Sequence, residues 1–96
     1  MIRPELSRAA DADLVAMLEY GGETFGWEAA EDYLASFERV LVLLCEHPRA
    51  GAVHETVRPP IRSIAHRRHR VYYDLLDDRV VVRRILHMSM DVAQHL

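Results

Sequence analysis

The amino-acid sequence predicts an α+β fold in which a helical hairpin packs on one face of a small antiparallel sheet. Two apolar stripes with helical spacing lie in the first half of the chain, and three strand-like runs lie in the second half. At 96 residues the chain is near the lower end of ordinary domain sizes, so residues 1–96 are expected to form a single domain. The predicted element order is β-α-α-β-β-β, followed by a short C-terminal tail.

The first half of the chain begins with a short strand and a helix. Residues 2–6 form the predicted strand, and Pro4 within it is typical of a strand at a sheet edge. Ser7 is a suitable N-cap for the helix that follows. The helix is expected to weaken and end at a group of glycines, namely Gly21, Gly22 and Gly26.

The second helix, Trp27 to Glu46, is the clearest element in the sequence. His47 and Pro48 follow it and end it. Because few residues separate the two helices, they are predicted to form an antiparallel hairpin. The apolar stripe of the second helix consists of Ala30, Tyr33, Leu34, Phe37, Leu41 and Leu44.

The second half of the chain is predicted to form a sheet after a proline-containing loop at residues 48–60. A tight turn at Asp77-Asp78-Arg79 pairs the last two strands as an antiparallel hairpin. Strict alternation along the last strand places Arg83 and Arg84 on opposite faces. Asp91–Leu96 adds about one helical turn. The predicted strands are Ile61–Arg67, His69–Leu76 and Val80–His87.

The two halves of the chain carry opposite net charges. Residues 1–56 contain four arginines and eleven acidic residues, whereas residues 57–96 contain eight arginines and four acidic residues. All twelve basic residues are arginine, which binds carboxylates and phosphates through two parallel hydrogen bonds. The asymmetry indicates either a charged partner for the basic half or attraction between acidic helices and a basic sheet within one fold.

Several classes of function receive little support from the residues. The sequence lacks an apolar run long enough to span a membrane, and its first residues lack the apolar core of a secretory signal, so a cytoplasmic setting is expected. Cys45 is interpreted as a small buried hydrophobic residue. Arg67 and Arg68 separate His66 from His69 and oppose a bound cation, so no metal is expected there. No cofactor is expected either.

The basic half leaves two nucleic-acid interpretations open. Arginines interleaved with Tyr72 and Tyr73 are typical of stacking sheets, but these adjacent tyrosines point to opposite faces, so at least one is expected in the core. Sequence-specific binding to nucleic acid is not expected. RNA cleavage needs a general base, a general acid and cations. The basic half contains residues of these types, namely histidines 66, 69 and 87 and arginines 62, 70, 83 and 84.

Six segments of the sequence, taken in their order along the chain, resemble the RelE/ParE superfamily of bacterial type II toxins, and they resemble its ParE branch most closely. Together they span nearly the whole chain, from Leu6 to Leu96. Their most specific positions are Arg62, the Tyr72-Tyr73 pair and the run Arg84 to His87. The segments are LSRAADADL, FGWEAAEDYLASF, EHPRAG, IRSI, HRVYYDLLDD and VVVRRILHMSMDVAQHL.

The resemblance implies a growth-inhibiting toxin that a ParD-like antitoxin neutralises in a hetero-oligomeric complex. In such complexes the C-terminal segment of the antitoxin covers the helical hairpin and the sheet edge. ParE-like toxins are generally inhibitors of DNA gyrase without catalytic residues, whereas RelE-like relatives cut mRNA on the ribosome. The sequence has no Lys, and no Tyr after Tyr73, and both features favour the ParE-like reading.

The ParE-like hypothesis predicts two sets of site residues, one that contacts the antitoxin and one that carries toxicity. The antitoxin is expected to contact the edges of the helical stripes and the last strand, and toxicity is expected to depend on the basic half. The antitoxin set is Leu14, Leu18, Tyr33, Phe37, Arg84 and Leu86, and the toxicity set is Arg62, Arg70, Arg84 and His87. In the alternative RelE-like reading, His87 or His69 acts as acid or base, and Arg62 and Arg84 hold phosphate.

Overall fold

The computed structural model describes residues 3–96 and confirms the predicted α+β class; Ile2, the first residue of the predicted first strand, lies outside this range. Two long helices pack on one face of a five-stranded sheet, and a short third helix follows the last strand. The strands are β1 (Arg3–Leu6), β2 (Ala52–His54), β3 (Ile61–His66), β4 (His69–Leu76) and β5 (Arg79–His87). The helices are α1 (Arg8–Phe25), α2 (Trp27–Glu46) and α3 (Val92–His95).

The sheet is mixed, which refines the expected antiparallel arrangement. Its strand order is β1-β5-β4-β3-β2, and β1 runs parallel to β5 while the other neighbours are antiparallel. Parallel neighbours need a long connection, and the chain between β1 and β5 includes the whole helical hairpin. Pro4 lies in β1 at the sheet edge, where its missing N–H group disturbs no inner ladder.

The second edge strand, β2, lies within the predicted loop 48–60. It pairs with β3 through Ala52 with Ser63 and His54 with Ile61. Three residues are too few to show the alternation that identifies a strand in sequence. The loop prediction for these residues was therefore wrong, and the extra pairing completes the edge of β3.

The helical hairpin has a glycine at its turn and another at its contact surface. α1 continues through Gly21 and Gly22 and ends only at Gly26, whose φ of 97° lies in a region that side chains disfavour. Gly22 is buried because the indole ring of Trp27 packs directly over it. The predicted weakening at Gly21-Gly22 is offset by this close approach of α2.

Two apolar clusters lie on opposite faces of the sheet. The larger cluster, on the helix face, includes Phe37, Leu44, Val71 and the fully buried Tyr73. The smaller cluster, on the face that we call the open face, contains the buried residues Ile61, Tyr72 and Leu86, against which Val57 and Val92 pack. Tyr72 and Tyr73 thus point to opposite faces, as their adjacency predicts, and both are buried.

A β-bulge in β5 changes which side chains share a face. Tyr72 pairs with Arg84 but Tyr73 pairs with Val82, so Arg83 is an extra residue in β5. Beyond the bulge, Ile85 joins the cluster on the helix face and Leu86 joins the cluster on the open face. Simple alternation along β5 therefore fails at Arg83.

Candidate partner-binding groove

A groove of about 910 Å³ lies where α1, the start of α2, the β3–β4 turn and the end of β5 meet. Its apolar wall is formed by Met17, Tyr20, Phe25, Tyr33, Ile85 and Met90. Its charged lining consists of Asp13, Arg67, Arg68 and Arg84, with three histidines, His69, His87 and His95. Three arginines against one carboxylate give the groove a positive balance beside a large apolar surface. Such a groove is complementary to an amphipathic segment that carries acidic residues.

The charged pair between Asp13 and Arg84 joins α1 to β5 at one side of this groove. The guanidinium donates to both carboxylate oxygens, with Nε and Nη2 at 2.8 and 2.9 Å, and Ile85 N donates to Asp13 Oδ2 at 2.8 Å. The hydrogen bond to Asp13 raises the pKa of Arg84. Arg84 Nη1 also donates to the carbonyl oxygen of His95 at 2.9 Å, so one side chain connects α1, β5 and α3.

The start of α1 also covers the edge of β5 beyond the last residue of β1. Ser7 N donates to Val82 O at 2.9 Å, and Ser7 Oγ donates to Arg83 O at 2.7 Å. Ser7 Oγ accepts from Ala10 N at 3.0 Å, which confirms the predicted N-cap. Backbone groups at this edge of β5 are thus satisfied by the backbone N–H and hydroxyl of Ser7 and by the Asp13 carboxylate.

Three histidines form a row across the sheet beneath the start of α2, and we call His66, His69 and His87 the histidine row. His66 pairs with His69 in the β3–β4 ladder, and His69 pairs with His87 in the β4–β5 ladder. Burial lowers the pKa of His66, with a further contribution from Arg67. Burial also lowers the pKa of His69. The charges of His87 and His66 lower this pKa further, whereas the charge of Asp13 raises it. The structure therefore favours the neutral forms of His66 and His69.

The residues predicted to contact an antitoxin occupy different environments. Tyr33 and Arg84 line the groove, and Leu14 and Leu18 are half-buried on α1. The other two are core residues: Phe37 is 3% exposed on the helix face, and Leu86 is 2% exposed on the open face. Of the six, only Phe37 and Leu86 are almost fully buried; the other four keep part of their surface exposed, and Tyr33 and Arg84 do so within the groove.

The four residues predicted to carry toxicity do not form one cluster. Arg70 and Arg84 pair with Leu86 and Tyr72, which places them on the open face. His87 belongs to the histidine row on the helix face. Arg62 pairs with the buried Tyr73, and its guanidinium donates to Gly51 O at 2.9 Å. Arg84 and His87 nevertheless both line the groove, whereas Arg62 and Arg70 do not.

A second hollow, of about 340 Å³, lies on the open face near α3. Arg83 and Arg84 both line it, together with Arg58 and the apolar side chains of Val57 and Ile61. The prediction that Arg83 and Arg84 project to opposite faces was wrong, because the bulge at Arg83 interrupts the alternation. Arg83 forms an ion pair of 3.5 Å with Asp74.

Several groove residues were not recognised as site residues in the sequence. Asp13, Tyr20 and Phe25 lie on α1 and Met90 lies between β5 and α3, so long-range packing brings Met90 to the α1 residues. The spacing of Asp13, Met17 and Tyr20 along α1 is the only local signal, since residues three or four apart share a helix face.

Within residues 3–96, no group of three or more His, Cys, Asp or Glu side chains is arranged to hold a metal ion. In the same part of the chain, no helix is long and apolar enough to cross a membrane. Cys45 is half-buried, and burial raises the pKa of its thiol, with a smaller effect from Glu46. A raised pKa makes the thiol less reactive near neutral pH.

The fold and the groove define a small α+β domain suited to binding a partner protein. The family described as "ParE toxin of type II toxin-antitoxin system, parDE" matches residues 5–92. The chain therefore belongs to the ParE toxin family, and the sequence resemblance is confirmed. Membership of this family also identifies the chain as a ParE toxin of a ParDE toxin–antitoxin system.

Individual relatives agree with this assignment. The chain is 36% identical over 91 residues to Toxin ParE1 of Caulobacter vibrioides, covering 95% of this chain and 94% of the relative. It is 29% identical over 92 residues to Toxin ParE1 of Mycobacterium tuberculosis, with the same coverage. A solved structure described as the chromosomal ParDE system from P. aeruginosa has the same fold, with a TM-score of 0.78 at 19% identity, covering 91% of this chain and 96% of that one.

Proposed function

We propose that this ParE-family toxin inhibits DNA gyrase by binding it, without catalysis, and that a ParD-like antitoxin neutralises it in the cytoplasm. The observation that carries the proposal is the family match over residues 5–92. The groove supports it, because its apolar wall and positive balance suit the acidic amphipathic segment expected at the C-terminus of an antitoxin.

The proposed antitoxin site is the groove. Tyr33 and Arg84 remain from the residues expected from sequence, and Arg67, Arg68 and Met17 join them. Tyr33 and Met17 supply apolar contact, while exposed Arg67 and Arg68 supply positive charge at the rim. The core residues Phe37 and Leu86 are almost fully buried and are not proposed as direct contacts.

The proposed toxic surface overlaps the antitoxin site. Arg84 and His87, two of the four residues expected to carry toxicity, line the groove. An antitoxin segment in the groove therefore covers part of the surface proposed to bind gyrase. Arg62 and Arg70 lie elsewhere on the sheet, and their part in toxicity remains a prediction.

A DNA supercoiling assay tests the proposed target. Purified chain added to gyrase and relaxed plasmid is expected to block supercoiling and to produce cleaved DNA. Addition of the purified antitoxin, encoded by the small open reading frame expected beside the toxin gene, is expected to restore supercoiling. Unimpaired supercoiling without cleaved DNA would count against gyrase as the target.

A charge reversal at the groove rim tests the proposed antitoxin site. Arg68→Glu is expected to weaken antitoxin binding by about tenfold at moderate salt, because loss of attraction and new repulsion together cost about 1–2 kcal/mol. Isothermal titration calorimetry measures the change. The matched control is Arg39→Glu, since Arg39 is an exposed arginine of α2 outside the groove lining. Equal loss of affinity in both variants would argue for a general charge effect instead.

RNA cleavage is the second candidate function, and one observation favours it. The ring centroids of His69 and His87 lie 5.3 Å apart in a groove that Arg84 also lines. The two imidazoles are suitable as acid and base, and the guanidinium is the cation. Arg62, expected to hold phosphate with Arg84, lies against Gly51 instead. A ribosome-coupled mRNA cleavage assay with His87→Ala distinguishes the candidates; cleavage that depends on His87 would favour the nuclease.

A further inference from the structure

The histidine row is a geometric feature that toxin function does not by itself require. Residues paired directly across neighbouring strands point to the same side, so His66, His69 and His87 lie in one line on the helix face. The rings of His69 and His87 meet edge to face, with centroids 5.3 Å apart. A proton on either imidazole is therefore close to the other.

The start of α2 rests on this row through hydrogen bonds and ring contacts. A hydrogen bond of 2.7 Å joins Tyr33 Oη and His69 Nδ1, and the ring of Phe37 lies 4.7 Å from that of His66. Ser36 Oγ donates to Tyr33 O and lies 2.6 Å from His66 Nε2, so its oxygen accepts the Nε2–H of His66. Two of the three imidazoles thus attach α2 to the sheet.

The charged groups around the row oppose additional protons. Asp13 of α1 is the carboxylate on the groove lining, and its two oxygens already bind Arg84. Arg67 lies over the Tyr33 ring, with Cζ 5.6 Å from the ring centroid. The charged and titratable groups that line the groove next to the row are Asp13, Tyr20, Tyr33, Arg67, Arg68, Arg84 and His95. Arginines outnumber carboxylates among them, so each added proton meets net repulsion.

We propose that the histidine row is a proton-sensitive contact that holds the start of α2 against the sheet and thereby sets the shape of the groove wall. When the row is neutral, Tyr33 and Phe37 pack closely on it. When protons bind, repulsion along the row and the cost of burying charge weaken this contact. Because His69, His87 and Tyr33 line the groove, the same protons make it more positive and its wall looser.

The direction of the pH effect follows from the lowered pKa values of His66 and His69. The unfolded chain binds protons on these residues at a higher pH, near about 6.5, than the folded chain does. Their contribution to stability is therefore complete above that pH. It is lost as the pH falls through the lower pKa values of the folded state.

Nuclear magnetic resonance titration of the histidine side chains of the full chain tests the coupling. The pKa values of His66 and His69 are expected to lie below about 6.5. His87→Gln removes a positive neighbour and is expected to raise the pKa of His69 measurably. A purely structural role for His87 would leave that pKa unchanged, and such a result would overturn the coupling.

Urea unfolding and amide hydrogen exchange, both measured between pH 8 and pH 5, test whether protonation weakens the contact between α2 and the histidine row. The unfolding midpoint is expected to fall with pH, and exchange at residues 33–37 of α2 is expected to rise beyond the intrinsic pH effect. His69→Gln should flatten both dependences, whereas His47→Gln, at the exposed end of α2, should leave both unchanged. An identical pH profile in His69→Gln and the unaltered chain would refute the proposal. Should His69→Gln not fold, His66→Gln replaces it in the same comparison.

Discussion

Tyr73 has no exposed surface, and its hydroxyl group connects the sheet to the loop that precedes β2. The hydroxyl donates to Pro48 O at 2.7 Å and accepts from Gly51 N at 2.9 Å. These bonds satisfy backbone groups that β2 and β3 do not pair. The sequence predicted that one tyrosine of the Tyr72-Tyr73 pair is core, but it could not show that both are, because the second cluster depends on chain segments far apart in sequence.

Tyr73→Phe tests the role of this hydroxyl. The substitution keeps the ring and leaves the buried Gly51 N–H without its partner, so the free energy of unfolding is expected to fall by about 2 kcal/mol. Urea unfolding measures the loss. Tyr20→Phe removes a hydroxyl from a side chain that is 67% exposed, and it should change stability little. Equal effects of the two substitutions would contradict the assignment.

The helical hairpin shows, at the scale of the element, how sequence signals and packing can disagree. The apolar stripe of α2 and its stop at His47 predicted the bounds of that helix correctly. Gly21, Gly22 and Gly26 were expected to weaken and end α1, and the helix continues through the first two glycines and ends before Gly26. A glycine lowers helix propensity, but Gly22 lets the ring of Trp27 lie against the α1 backbone, and that contact is invisible to local propensity.

Gly22→Ala tests this explanation, because the contact with Trp27 determines whether the substitution raises or lowers the free energy of unfolding. In an open helix the change would stabilise by about 1 kcal/mol. Here the new methyl group collides with the Trp27 ring, so we expect a net loss of about 1–2 kcal/mol in the free energy of unfolding. In a Trp27→Leu background the collision is relieved, and Gly22→Ala should become neutral or stabilising. A double-mutant cycle by urea unfolding measures the coupling; additive effects would rule it out.

At the scale of the whole molecule, Asp13 and Arg84 connect α1, β5 and α3 although they lie 71 positions apart. Their side chains are 14% and 22% exposed, so water screens the pair less than it screens a surface ion pair. Because both residues also line the groove, the pair fixes the relative positions of the groove's two sides.

Asp13→Ala tests this connection. The variant loses both hydrogen bonds to Arg84 and the one from Ile85 N, so the free energy of unfolding is expected to fall by about 2–3 kcal/mol. Thermal and urea unfolding measure the loss, and Glu19→Ala, an exposed acidic position on the same helix, is the control. A loss no larger than that of the control would show that the pair is energetically unimportant.

Local patterns in the sequence were enough to predict the α+β class, the order of the predicted elements, the bounds of α2, the N-cap at Ser7 and the resemblance to ParE toxins. These features depend on periodicity, capping and turn residues that are close together in the chain. Tertiary structure alone decided the parallel pairing of β1 with β5, the added β2 and the bulge at Arg83. It also assembled the groove and the histidine row, because strand register and helix packing bring together residues that no local pattern connects.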